Sequence, residues 1–295
     1  MSSMIPRDIN IYGLLIALAI LVGTLLCVRE EKQRNLGKDT GLDVVLYAVP
    51  PALIGARIYY VVFAWYLFKE DPISALYIWE GGLALYGGVI GGVLGLIFLA
   101  RKRNMSLWLL TDIAAPSMLL GQAIGRWGNY FNAEAHGSIV QSSALKLFPI
   151  AVSLNGTWYY ATFFYESIWN LLGFAFLYLN RRKFSTRGAA GELTLWYFLC
   201  YSSGRMLIEM MRTDSLMLLN MRVSQLLSVV LFMFAGILLG IRRGIPKVQF
   251  AILALGGAAA ITAAATENLP LLVGGVAINL IFAGLLYTRY SRAAE

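Results

Sequence analysis

The stretch Gly125-Arg126-Trp127-Gly128-Asn129-Tyr130-Phe131-Asn132-Ala133-Glu134-Ala135-His136-Gly137 directly follows an apolar run, Leu107 to Ile124. A run of that length crosses a hydrocarbon layer as a helix. This one ends in an Arg, two Asn, a Glu and the only His of the chain, set among aromatics and glycines. A charge at a membrane boundary is costly unless it is paired or binds something, so Arg126 points to function. The glycines allow backbone to approach a ligand closely. A polar loop that merely caps a helix bundle is the plainer reading of the same residues.

Outward from that stretch, the composition agrees with a membrane protein. Of the 295 residues, 59% are hydrophobic and only 14% charged, and the mean hydropathy is +0.68. Apolar runs of about 18 to 20 residues recur along the chain, each long enough to span. A soluble domain is excluded. The expectation is an all-α polytopic membrane protein of about nine transmembrane helices, with a small extracytoplasmic cap.

The formal net charge is +8, but its distribution argues against nucleic acid. Sixteen of the 24 Lys and Arg fall in five clusters: Arg29, Lys32, Arg34, Lys38; Arg101 to Arg103; Arg181 to Lys183 with Arg187; Arg242, Arg243, Lys247; and Arg289, Arg292. Each cluster follows every second apolar span, which is the positive-inside pattern and makes these loops cytoplasmic. The surplus charge then belongs to topology and anionic headgroups. Cys27 and Cys200 both lie in apolar segments, so neither a disulfide framework nor a metal site is suggested. The first apolar run has its positive charges after it and no small-residue cleavage site, so it reads as a retained span with the N-terminus outside.

Span 1 covers roughly Ile11 to Cys27 and holds Tyr12 near its outer end. Span 2, roughly Leu42 to Leu67, contains Pro50-Pro51, where a kink is expected, and Arg57 several turns inside the membrane. Span 3 opens Gly81-Gly82-Leu83-Ala84-Leu85-Tyr86-Gly87-Gly88-Val89-Ile90-Gly91-Gly92; close packing through small residues and a broken re-entrant backbone both fit. Span 4 leads into the opening stretch. Ser138 to Tyr160 is polar with aromatics and suits a cap. Span 5 begins near Tyr160 and carries Glu166, a charge that needs a partner. Span 6, about Gly191 to Met210, places Arg205 and Glu209 at i, i+4, with Arg212 a turn further on nearly the same face. A self-contained Arg205–Glu209 pair is the bland alternative. Span 7 runs from about Val223 to Leu239. Two Ala- and Gly-rich runs, about Phe250 to Ala265 and Leu271 to Leu286, return the C-terminus to the cytoplasm.

The outer ends of the spans thus collect Arg126, Arg205 and Arg57; Asn129 and Asn132; Glu134, Glu166 and Glu209; and Tyr12, Tyr86, Tyr160 and Tyr201. Arginine forks match phosphate oxygens and stay charged at any accessible pH. Beside apolar helices they suit an anionic phosphate head with acyl tails. From residues alone the reading stops at a phospholipid-binding membrane protein.

Gly125-Arg126-Trp127-Gly128-Asn129-Tyr130-Phe131-Asn132-Ala133-Glu134 resembles the GRxGNFxNxE block of bacterial prolipoprotein diacylglyceryl transferases. Further stretches resemble family blocks in the same order: Tyr12-Gly13, Gly55 to Tyr60, the glycine-rich start of span 3, Thr162 to Glu166, Gly204-Arg205 with Glu209, Arg212-Thr213-Asp214, and Ser224-Gln225. The resemblance covers about residues 10 to 240. It implies a seven-helix transferase core at 1–243, with an extracytoplasmic segment near 126–160, and a C-terminal extension of two helices at 244–295. It implies transfer of the diacylglyceryl group of phosphatidylglycerol to the lipobox cysteine thiol of a prolipoprotein at the outer face of the bacterial cytoplasmic membrane, with no metal or organic cofactor.

Under that resemblance Arg126, Arg205, Tyr86 and Glu209 are the expected catalytic group. Tyr12, Arg57, Gly125, Asn129, Asn132, Glu134, Gly137 and Tyr201 are the expected substrate contacts. The arginines would hold charge that grows on the leaving phosphate, the asparagines orient substrate oxygens, and Glu134 and Glu209 fix the arginines. Two positions depart from the family: many members have His where this chain has Tyr86, and His often begins the span 5 block where this chain has Tyr160. A phenol still hydrogen-bonds phosphate. A non-catalytic lipid- or lipoprotein-binding paralogue and an anion transporter are the competing readings.

Overall fold

The computed structural model describes residues 11–218 and 221–292. The N-terminal residues 1–10 and the C-terminal residues 293–295, whose sides of the membrane the sequence reading assigns, lie outside the described residues. Among the described residues there are nine α-helices. They are α1 (Ile11–Gln33), α2 (Thr40–Phe63), α3 (Leu85–Arg103), α4 (Leu107–Phe131), α5 (Thr162–Arg187), α6 (Glu192–Glu209), α7 (Val223–Arg243), α8 (Lys247–Thr266) and α9 (Leu269–Arg292). Seven are long and apolar enough to cross a membrane; α5 and α6 are the exceptions. The reason is visible in their burial. Thirteen residues of α6 are buried, Glu192, Ser202, Ser203 and Glu209 among them. A helix wrapped in protein need not present apolar side chains all round, because neighbouring helices satisfy its polar groups.

The chain forms two compact units, Gly23–Ala114 and Met1–Val22 with Ala115–Glu295. In the first, α2 and α3 pack through glycines. Gly87, Gly91 and Gly95 recur every fourth residue, and a Cβ on any of them would fall inside contact distance of α2 backbone: Gly55, Pro51 and Tyr47 carbonyls respectively. The carbonyl of Tyr47 loses its i+4 donor because Pro51 has no N–H, and it lies directly against Gly95. Of the two sequence readings for this segment, small-residue packing is the one found, since α3 is an unbroken helix from Leu85. The start of α2 is capped from α1: Glu31 accepts hydrogen bonds from Asp39 N–H at 3.0 Å and Gly41 N–H at 2.8 Å. Arg103 pairs with Asp43 at 2.6 Å, so part of the basic surplus is neutralised locally.

Arg57 in α2 is buried and directs its guanidinium at the segment before α3. Its Nε donates to Ala75 O (2.7 Å), Nη2 to Ser74 O (2.8 Å) and Nη1 to Gly81 O (2.6 Å) and Gly82 O (3.2 Å). The 3-10 turn Pro72–Leu76 and the glycines before α3 leave carbonyls without helical donors; Arg57 satisfies those of Ala75, Gly81 and Gly82 and adds a second donor to Ser74 O, which also accepts from Tyr77 N–H at 3.1 Å.

In the second unit α6 packs on α5, α7 and α9, and α8 on α9. The helices read in the sequence as an extension therefore lie against this unit's interior, with Phe282 and Leu286 of α9 fully buried. The connection from α4 to α5 contains β1 (Ala151–Leu154) and β2 (Thr157–Tyr160), an antiparallel hairpin. Its two-residue turn is Asn155-Gly156, with φ of 50° and 84°, the arrangement that Asn-Gly favours because its twist matches the strands. The hairpin is stitched to the end of the α4 stretch: Gly137 N–H donates to Tyr160 O (2.9 Å), Val140 N–H to Trp158 O (2.8 Å) and Tyr160 N–H to Ser138 O (3.1 Å). A smaller pair, β3 (Met217–Leu218) and β4 (Met221–Arg222), precedes α7. The cap is thus part β, a detail the all-α expectation lacked.

Candidate active site

The opening stretch divides between the last two turns of α4 and the loop that follows. Arg126 and Asn129 sit on α4 at i, i+3, so both side chains share a face. Arg126 Nη1 donates to Asn129 Oδ1 at 3.3 Å. The helix ends at Phe131, and Ala133 and Ala135 then adopt positive φ, 53° and 56°. Left-handed backbone at a residue with a Cβ costs about 1–3 kcal/mol and persists where the surroundings enforce it. Here it presents Glu134 between the two alanines, and Glu134 Oε1 accepts from Asn129 Nδ2 (2.9 Å) and Asn132 Nδ2 (3.3 Å). Glu134 therefore orients two amides, whereas the sequence reading gave it an arginine.

The centre of the site is Glu166, one turn into α5. Its carboxylate is buried, with 4% of the side chain exposed. Arg126 Nη2 donates to Glu166 Oε1 at 2.5 Å. Arg205 Nη1 of α6 lies 3.2 Å and 3.1 Å from its two oxygens, and Arg212 Nη1 is 3.8 Å away. A second carboxylate, Glu209, is 1% exposed and contacts Arg205 Nη2 at 2.6 Å and Arg212 Nε at 4.0 Å. The Arg205–Glu209 pair exists at its i, i+4 spacing, but Arg205 is shared between two helices. Three guanidiniums thus surround two buried carboxylates. Arg212 is also bound by Asp214, whose oxygens accept from Nε (3.0 Å) and Nη2 (2.8 Å). Burial pushes the Asp214 carboxyl up, yet the hydrogen bonds and charge of Arg212 outweigh it and hold the group below its ordinary value.

Two features leave this cluster open to an anion. Arg126 keeps 22% of its side chain exposed. Arg205 Nε is buried and has no hydrogen-bond partner, so one charge-assisted donor is unfilled. Around them the packing is close. Gly128 faces the ring of Tyr12, leaving no room for a Cβ, and Gly204 does the same for the indole of Trp169. Gly137 forms an isolated β-bridge to Arg212, and a Cβ there would stand 2.8 Å from Tyr160 Cβ and 3.1 Å from Met211 O. Gly125 has no such constraint; its added Cβ would be in ordinary contact with Ile16. Tyr201 stacks on Tyr197 at 5.9 Å, one turn below Arg205 on α6. The His136 ring lies 4.2 Å from that of Tyr159, tilted by 41°, with Nδ1 3.1 Å from Gly137 O.

The remaining sequence candidates lie in the Gly23–Ala114 unit. Arg57 binds the four carbonyls described above, and Tyr86 is the half-buried second residue of α3. Two residues of the cluster were absent from the expected site. Glu166 and Arg212 stand in family-like blocks, Glu166 as a charge that needs a partner and Arg212 near the face of Arg205, and the sequence gives neither a site role; their signal is charge in an apolar helix and helical spacing.

A sequence model of the family described as prolipoprotein diacylglyceryl transferase matches residues 1–241. The phosphatidylglycerol–prolipoprotein diacylglyceryl transferase of Bacillus licheniformis is 46% identical over 245 residues, covering 81% of this chain and 90% of that protein. The protein of the same name from Halalkalibacterium halodurans is 46% identical, with coverages of 81% and 84%. That of Limosilactobacillus reuteri is 44% identical, with 81% and 88%.

Proposed function

The chain belongs to the prolipoprotein diacylglyceryl transferase family, and on that footing we propose that it transfers the diacylglyceryl group of phosphatidylglycerol to the lipobox cysteine thiol of a prolipoprotein. A sulfur–carbon bond forms at the terminal glyceryl carbon, and the carbon–oxygen bond to phosphate breaks. Glycerol phosphate leaves with the electron pair, the thiol proton is released, and the peptide keeps a thioether-linked diacylglyceryl group. The reaction uses no metal or organic cofactor.

The observation that carries this reading is the cluster of Arg126 and Arg205 on Glu166, with Arg205 Nε unfilled. As the bond to phosphate breaks, negative charge grows on the phosphate oxygens, and fixed guanidiniums stabilise it without reorganising. Glu166 and Glu209 hold the two forks in place, so no ordering is needed during reaction. Arg126, the more exposed of the two, meets the lipid first. Asn129 and Asn132, held by Glu134, position glycerol or phosphate oxygens. Tyr12, Tyr201, Gly125 and Gly137 shape the surrounding wall. Tyr86 acts as the phenol that replaces the His common in the family, and Arg57 organises the segment before α3.

In the same proposal all nine helices span, the N-terminus is outside and the C-terminus cytoplasmic, because the basic clusters alternate with the spans. The helices sit in the bacterial cytoplasmic membrane with Arg126 and Arg205 toward the extracytoplasmic side. Residues 1–243 are the transferase core and 244–295 an extension. The test is mass spectrometry of a lipobox peptide incubated with the purified protein in phosphatidylglycerol micelles. Diacylglyceryl addition at Cys is the expected result; an unmodified peptide, beside a relative that modifies it, overturns the proposal.

A further inference from the structure

Between α5, α6 and α9 lies a cavity of about 330 Å³, which begins at Trp169, one turn from Glu166, and runs along α5 away from the arginine cluster toward Phe176 and Tyr287. Its walls include the rings of Phe176, Trp196 and Tyr287; Phe176 lies 5.5 Å from Trp196 and 5.6 Å from Tyr287. Three polar groups of the lining are already satisfied within the protein. Trp169 Nε1 donates to Cys200 O (2.8 Å), Ser203 Oγ to Leu199 O (2.6 Å) and the Tyr287 hydroxyl to Asn180 Oδ1 (2.7 Å). A polar ligand would find few partners there, so the walls select hydrocarbon.

A cation stands just beyond the Tyr287 wall. Lys183 Nζ lies 4.1 Å from the centroid of the Tyr287 ring, next in sequence to Arg181 and Arg182. An apolar chamber with a cation beyond one wall matches an amphiphile with an anionic head. Glu166 of the arginine cluster and Lys183 are about 25 Å apart along α5 at the helical rise, so the two ends of α5 serve different ligands. One wall is α9, which lies beyond the residues 1–241 that the family model matches. On that wall Gly284 leaves open space: a Cβ added there meets nothing within 4 Å.

We propose that this cavity takes one acyl chain of an anionic phospholipid whose headgroup phosphate lies at Lys183. This lipid is a resident of the leaflet at that end of the bundle and is not the reacting substrate, so the proposal stands apart from the transferase reading. Burying a chain between three helices in place of loose lipid contacts would tie α9 to α5 and α6.

The test uses the full chain in phosphatidylcholine bilayers containing phosphatidylserine with brominated acyl chains, an anionic lipid other than the proposed substrate; bromine quenches tryptophan on contact. Trp169 and Trp196 line the cavity and report occupancy. Quenching is expected to be stronger with brominated phosphatidylserine than with brominated phosphatidylcholine at equal mole fraction. Gly284→Phe fills the chamber and should remove that excess. Gly274→Phe, also in open space on α9 but away from the lining, should retain it. Lys183→Gln leaves the chamber unchanged and should abolish the preference for the anionic lipid while keeping quenching by both. Equal quenching by the two lipids in the wild type overturns the proposal, as does an unchanged excess in Lys183→Gln. Lys183→Gln decides the matter even if Gly284→Phe fails to fold.

Discussion

Replacing Glu166 by Gln keeps the side chain's shape and removes its charge. The carboxylate contacts Arg126 at 2.5 Å and Arg205 at 3.1 Å, with Arg212 at 3.8 Å. After the change, Arg205 and Arg212 keep Glu209 and Asp214, Arg126 is left with Asn129, and the amide donates toward cations that need acceptors. Removing one partner of a buried ion pair costs about 3–5 kcal/mol. Arg126 is partly exposed, so water recovers some of its loss, which places Glu166→Gln near the lower end, about 3 kcal/mol. The assay is reversible unfolding in mixed micelles, read as a double-mutant cycle with Arg205→Gln. Groups in one network couple by about 0.5–3 kcal/mol, and the two single changes should together cost less than their sum by about 1 kcal/mol or more. If the two effects add to within about 0.5 kcal/mol, Glu166 does not hold Arg205 and the geometry argued for the site is wrong.

Gly204→Ala should displace the Trp169 indole that now occupies the space of the added methyl; overpacking of this kind costs about 1–3 kcal/mol and would appear as a lower unfolding midpoint with altered tryptophan emission. Arg57→Gln should orphan the carbonyls of Ala75, Gly81 and Gly82, at about 1–3 kcal/mol per buried group left unmatched, and expose Asp71 to Leu83 to proteolysis that leaves the helices intact. Asp214, held below its ordinary value by Arg212, contributes stability that is fully present above the unfolded carboxylate pKa, about 4. That contribution is lost as pH falls through the lower folded value, so the drop in midpoint on acidification should be shallower in Asp214→Asn. The difference should stay below about 1 kcal/mol because about half of the Asp214 side chain is exposed and water screens the pair.

Much of the helical architecture is legible because hydrocarbon imposes length and apolarity on every lipid-facing helix. The same rule explains why α5 and α6 fall short: they carry the site's charges and are satisfied by protein, which a hydropathy window cannot distinguish from a weak span. Arg205 and Glu209 are readable as a pair because i, i+4 is local geometry. Glu166 as the shared acceptor is not readable, since Arg126 and Arg205 reach it from two other helices and that meeting is a tertiary fact. Arg57 looked like a cation awaiting a ligand because a sequence does not say where the carbonyls of 3-10 turns will point. The Asn155-Gly156 hairpin carried a signal in the open, a turn dipeptide between Ala151–Leu154 and the aromatic run Trp158-Tyr159-Tyr160, and the reading of Ser138 to Tyr160 as an undivided cap passed over it.

The measurement closest to the central claim is glycerol phosphate release from phosphatidylglycerol in the presence of a lipobox peptide, with kcat and KM resolved separately for wild type, Arg126→Ala and Arg205→Ala. If the guanidiniums act on charge that develops as the phosphate leaves, kcat should fall about 100-fold or more in each variant, the range seen when an oxyanion-stabilising donor is removed, with a smaller change in KM. A rise in KM with kcat unchanged would mean that the arginines only anchor the lipid and would contradict the account.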